Sequence, residues 1–248
     1  AAHDGWPGLL VGDIAQPRGG PMLSGHASHQ VGLDADVWLT PMPGRTLSAT
    51  ERENLSATSM LKKNTLFVDD RVWTQAHARL LMRAASYPEV ERIFVHPGIK
   101  KKLCDSWSGD RAAMSKIRPY YGHHYHFHIR IKCPPGASGC KSHNPPPSGP
   151  GCDKSLAWWF TDEPWAPAKP KKDTKPKPKK REIQLSDLPS ACSLVAMAPG
   201  PRSEAEVTLG ADPIARIARA NANAASVAAF GALPLPGRIP LPLPRPAR

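Results

Sequence analysis

Four histidines fall within six positions of the stretch GHHYHFHIRI, residues 122–131. Imidazole titrates near neutral pH and ligates metals in its neutral form, so such a cluster points to proton transfer, metal binding or both. Read as a strand, the stretch puts His126, His128 and Arg130 on one face and Phe127, Ile129 and Ile131 on the other. Residues two apart on one face have side-chain origins about 6.5 Å apart, close enough for two imidazoles to address one site. An H-x-H pair alone is weak, because the wet face of any strand produces it by chance. A second group strengthens it: GHASHQVGLDADVW, residues 25–38, offers His26, His29 and Asp36. Catalytic zinc takes three nitrogen or oxygen ligands and keeps a position for water. Two neutral histidines and one aspartate leave such a site a net positive charge, which acidifies a water and polarises a carbonyl.

Both groups need a frame. Residues 31–39 alternate, with Leu33, Ala35, Val37 and Leu39 on one face and Asp34, Asp36 and Trp38 on the other, so a half-buried strand is expected there. Ser48 and Glu51 stand at capping-box spacing and predict a helix over 48–63. Trp73, Ala76, Leu80 and Ala84 mark a helix over 70–88, with Asp69 or Asp70 as cap and Pro88 beyond its end. His77 lies beside that stripe and reads as a packed core histidine. Residues 90–96 form a short buried strand, and 97–107 a helix opened by Pro97. His96, with no partner motif, is read as structural. SLAWWFTDEPW, 155–165, reads as an aromatic strap over the domain, and a carbohydrate-facing patch is the alternative.

At 248 residues the chain has room for one substantial domain plus appendages. Composition places a domain over 1–165, a Lys/Pro-rich linker and short docked segment with Cys192 over 166–195, and a low-complexity Pro/Ala-rich tail over 196–248. No run of 18 apolar residues occurs in the sequence, so a membrane span is not expected. Of the formal charge of +12, residues 166–181 carry +7, from seven Lys and one Arg against one Asp. A lysine tract without interleaved aromatics reads as a solvated tether, so specific nucleic-acid recognition is not expected.

The first residue is Ala rather than Met, which suits a mature secreted chain or a trimmed fragment. Cys133 and Cys140 bracket PPGASG, a loop that readily closes, and Cys104 with Cys152 is the next natural pair. Cys192 is left over, and in an oxidised protein that points to a partner removed with an N-terminal segment. Five reduced thiols are the competing reading.

The spacing H-x6-D, His29 to Asp36, followed far downstream by H-x-H, His126 to His128, resembles the superfamily of lysostaphin-type peptidases, D-Ala-D-Ala metallopeptidases and hedgehog domains. More narrowly, the stretches PRGGPMLSGHASHQVGLDADVWL, RIFVHPGIKKKLC, HHYHFHIRIKCP, PPSGPGC and LPSAC resemble the penicillin-insensitive murein endopeptidase family. The matching stretches run from about residue 6 to about residue 195 and leave the Pro/Ala-rich end outside. The resemblance implies an α+β fold, with a small antiparallel sheet bearing the site and flanking helices.

It further implies one catalytic Zn2+ held by His29, Asp36 and His128, with His126 as base or transition-state stabiliser and His123 as a second helper. His124 is read as a loop histidine without a role. His26 is held as a neighbour of the ligands or an accessory ligand. A second ion is doubtful, because the NTLF stretch (64–67) lacks the Asp-x-x-His element of some relatives. Asp34 has the wrong spacing to His29 for a ligand and reads as a solvated or orienting carboxylate, and the PRGGP stretch (17–21) as a wall of the cleft.

The implied activity is periplasmic hydrolysis of the D-alanyl–meso-diaminopimelyl cross-link of peptidoglycan. A zinc D,D-carboxypeptidase and a non-catalytic wall-binding protein are the alternatives. The oligomeric state is left open, a dimer included.

Overall fold

A computed structural model describes residues 1–20, 22, 28–137, 139–167, 181, 184–200 and 202. His26, most of the Lys/Pro tract and the Ala-rich stretch 209–232 lie outside them. The chain divides into two compact units, Ala1–Lys172 and Asp173–Arg248.

The first unit is α+β, built on a four-stranded sheet ordered β1-β4-β2-β3. Its strands are β1 (Asp34–Trp38), β2 (Val90–Val95), β3 (Ile117–Pro119) and β4 (His126–Ile131). β4 pairs antiparallel with β1 and β2, as expected of a small antiparallel sheet, while β3 adds one parallel pair at the far edge. Residues 10–13 run along the other side of β1: Gly12 N–H donates to the Asp36 carbonyl at 2.7 Å and Trp38 N–H to that of Leu10 at 2.9 Å.

Period-two alternation divides the sheet into two faces. Val37, Ile93, Val95, Ile117 and Phe127 enter the core, where they meet Leu80, Leu81, Ile99, Leu103 and Met114. The first four of those partners come from the helices α2 (Gln75–Ser86) and α3 (Pro97–Ser106), and Met114 from a 3-10 turn, Ala112–Lys116. The opposite face carries Asp34, Asp36, His126, His128 and Arg130. Side chains sort by face because burying an unpartnered polar group costs a few kcal/mol, while each core aliphatic gains about 1.5–3 kcal/mol.

The predicted helix over 48–63 is cut to α1, Ala49–Asn54, which keeps the Ser48–Glu51 capping box. Beyond it the backbone finds distant partners: Met60 N–H donates to the His124 carbonyl at 2.7 Å, and Leu61 bridges Val68. Helix α2 starts five residues later than predicted, because Asp69 closes a separate turn through Val72 and Trp73 N–H. Thr74 caps it, and Thr74 N–H donates to His77 Nδ1 at 3.0 Å. His77 Nε2 donates to the Leu39 carbonyl at 3.0 Å, a packed core histidine as expected.

His96 caps α3, its Nδ1 accepting from Gly98 N–H at 3.0 Å. Gly98 is obligatory there, since a Cβ would stand 2.0 Å from the Leu66 carbonyl oxygen. Both expected disulfides are present, Cys104–Cys152 and Cys133–Cys140, and Cys192 is a free thiol. Residues 155–165 do form a strap: after α4 (Lys154–Ala157), Trp159 and Trp165 pack on Tyr121, Trp165 stacks on His96, and Phe160 stacks on Phe67. In the second unit, α5 (Ser190–Met197) follows a short turn at Leu185–Asp187, where Asp187 pairs with Arg181.

Candidate metal centre

Strand register brings two of the expected ligands together. Asp36 stands opposite His128 across the β1–β4 pair, and Trp38 opposite His126. The third, His29, sits on a single 3-10 turn, His29–Val31, just before β1. Gly32 follows with φ 72°, a left-handed turn that suits glycine, and returns the chain to the sheet.

His29 Nε2, Asp36 Oδ1 and His128 Nδ1 form a near-equilateral triangle with sides of 3.4, 3.2 and 3.2 Å. Ligands bound at about 2.0–2.1 Å at tetrahedral angles are separated by about 3.3–3.4 Å. All three residues are buried, and they form a group that could hold a metal ion.

The far side of each ring fixes its tautomer. His29 Nδ1 lies 2.5 Å from the Ile14 carbonyl oxygen, which can only accept, so the proton is on Nδ1 and the lone pair on Nε2. His128 Nε2 donates to Asp34 Oδ1 at 2.7 Å, which aims the lone pair of its Nδ1 at the same point. Asp34 Oδ2 accepts from Arg130 Nη1 at 2.6 Å, Arg130 Nε donates to Glu91 Oε2 at 3.1 Å, and Glu91 Oε1 accepts from His143 N–H at 2.8 Å. Asp34 is therefore the orienting carboxylate rather than a solvated one, and it is 2% exposed.

The electrostatics favour a cation at this point. Burial alone would lower the His128 pKa, but hydrogen bonds to Asp34 and Asp36 hold it up at about 9. Burial likewise raises Asp36, yet its bond with His128 and the charges of His126, His128 and His29 bring it below the ordinary carboxylate value.

His126 behaves differently. Its Nε2 is 3.7 Å from Asp36 Oδ2, its Nδ1 is buried without a hydrogen-bond partner, and burial pulls its pKa to about 4. His123 lies tilted beside it at a centroid distance of 4.7 Å, and 5.9 Å from His128. Its φ is 53°, one of two positive values at described non-glycine residues, and its Nδ1 donates to the Tyr121 carbonyl. His124 faces away, to Ser59 Oγ at 3.0 Å.

The matched family model is that of penicillin-insensitive murein endopeptidase, over residues 1–197. The chain belongs to this family. A protein named penicillin-insensitive murein endopeptidase from Haemophilus influenzae is 48% identical over 158 residues, covering 63% of this chain and 54% of the relative. Namesakes from Pectobacterium atrosepticum and Yersinia enterocolitica are 39% and 40% identical over 168 and 169 residues, 68% of this chain in each case. Those matches cover 59% and 60% of the relatives, so the chain spans little more than half the length of the relatives it matches.

Sequence reasoning missed Arg130 and Glu91 as parts of the site. Arg130 shares the alternating face with His128, which was a usable signal. Glu91 carried none, because its place depends on how β2 meets β4.

Proposed function

We propose that the chain is a zinc-dependent murein endopeptidase that hydrolyses the D-alanyl–meso-diaminopimelyl cross-link in the periplasm. The observation that carries this reading is the triangle of donor atoms, whose edges match a tetrahedral ion of zinc's bond length. Its family membership and the names of its relatives supply the substrate class.

His29, Asp36 and His128 would hold the ion, which when bound supplies Lewis acidity to a water and to the scissile carbonyl. Asp34, itself held by Arg130, keeps the His128 ring in its ligating orientation. His126, neutral at pH 7, takes up a proton from the attacking water and returns it to the leaving amine. His123, its Nδ1 held by the Tyr121 carbonyl and its ring beside those of His126 and His128, is the second helper. No acyl-serine forms in this scheme, which fits insensitivity to a drug class that acylates serine.

The test is chromatography of cross-linked dimer muropeptides incubated with the purified chain, alongside metal analysis. Dimers are expected to become monomers, chelation to stop this and zinc to restore it, and His128→Ala to abolish it with the fold preserved. Unchanged cleavage in His128→Ala would overturn the assignment, and release of D-Ala from monomeric pentapeptides instead would make the chain a carboxypeptidase.

A further inference from the structure

Strand register carries the metal row further across the sheet. Asp36 faces His128, His128 faces Phe94, and Phe94 faces Arg118 on β3. The Phe94 and His128 rings touch at a centroid distance of 5.6 Å, so Phe94 points to the site's side. Ile117 enters the core, which by alternation places Arg118 on that same side. Its backbone is two strand spacings, about 9.6 Å, from that of His128. In the adjoining row, Arg130 faces Arg92.

These two outer arginines differ from Arg130, which has Asp34 and Glu91. Among the described residues, Arg118 makes no hydrogen bond and no ion pair, although it is only partly exposed. Arg92 gives one Nη2 bond to the Asn144 carbonyl at 2.6 Å, while its Nε is buried without a partner. Each arginine raises the cost of the other, and burial and Arg92 together lower the Arg118 pKa. Lys100 lies close by, and its ammonium donates to the Met114 and Pro150 carbonyls. The acid that attracts Arg118 is Asp153, whose carboxylate is engaged at the start of α4 by Ser155 N–H and Oγ. Crowded guanidiniums with unfilled donors on the metal's side of the sheet are what a carboxylate ligand would satisfy, since Arg forks match carboxylate geometry.

We propose that Arg118, supported by Arg92, receives a free carboxylate of the diaminopimelyl residue and sets specificity for it. The inference rests on the endopeptidase reading for the identity of the substrate. In the cross-link, the carbon bearing the acylated amine of diaminopimelate also bears a carboxylate. That group lies within one residue of the scissile carbonyl, inside the span an arginine side chain on β3 covers from two strands away.

The test compares a dimer peptide cross-linked through diaminopimelate with its carboxamide counterpart, at equal charge elsewhere. Calorimetry on the full chain after chelation measures binding without turnover, and metal-loaded protein measures cleavage. Wild type is expected to bind the carboxylate form about tenfold to 100-fold more tightly, the range for a charged hydrogen-bonded pair. Arg118→Gln should erase that preference, and Arg92→Gln reduce it, with carboxamide binding and thermal unfolding unchanged. Equal binding of both peptides by wild type, or an undiminished preference in Arg118→Gln, overturns the proposal. Carboxylate-dependent binding without cleavage of either peptide would sink the endopeptidase reading and leave the subsite standing.

Discussion

Replacing Asp34 by Asn tests the idea that a ligand's orientation is set from behind. Asp34 touches no donor atom of the triangle, yet its two oxygens join His128 Nε2 at 2.7 Å to Arg130 Nη1 at 2.6 Å. An amide of the same shape has one acceptor where two are required. If its oxygen serves His128, its NH2 meets the Arg130 guanidinium donor to donor; if it is flipped, it drives the His128 proton onto Nδ1, where the metal would bind. Either arrangement weakens the ligand, and outer partners of this kind are worth about 10–100-fold in metal affinity, about 1.4–2.8 kcal/mol. The assay is zinc competition against a chromophoric chelator at pH 7.5, with circular dichroism to show an intact fold. An Asp34→Asn protein that binds zinc within twofold of wild type would refute the orienting role.

Other outcomes follow from the same structure. His126→Gln should keep its zinc yet lose about 10²–10⁴-fold in muropeptide cleavage, measured as kcat under saturating substrate. Cys104→Ala with Cys152→Ala opens a loop of sequence separation 48 and should cost about 4 kcal/mol in denaturant unfolding, against about 2 kcal/mol for Cys133→Ala with Cys140→Ala, separation 7. Burial pulls His96 to about 4 from 6.5, so the unfolded chain binds more protons between those values and stability falls as pH drops through the window. The loss should approach about 3 kcal/mol by pH 4 and be absent in His96→Asn, read as a difference in unfolding free energy between the two proteins at each pH. Gly98→Ala, facing the Leu66 carbonyl oxygen, should lower the melting temperature sharply with no gain from helix propensity.

The parts of this molecule legible from sequence are those written in local period. The alternation through 126–131 and 34–38 gave the strands and their polar faces, and the Ser48–Glu51 box gave a helix start. What failed was set by distant partners. The helix predicted over 48–63 stops at Asn54 because its later backbone finds better bonds at His124 and Val68. Strand β3 is three residues long and has too few positions to show alternation. In the site, His29, Asp36, His126 and His128 stand out by residue type and spacing. The carbonyl of Ile14 is placed by a distant loop, and the buried pair of Arg130 with Glu91 and the unfilled Arg118 by the way strands meet, none of which local sequence specifies.

The β1–β4 pairing is a ladder on which each rung holds a separate task. One rung joins Asp34 to Arg130, the next Asp36 to His128, and the next Trp38 to His126. A slip by a single residue would turn all of these side chains through the sheet together. Errors in this enzyme-like assembly are thus not graded: a misaligned molecule is inert in every respect at once. A preparation of low activity should therefore contain a minority of fully competent molecules rather than a uniform population of impaired ones, and titration of active sites would count them.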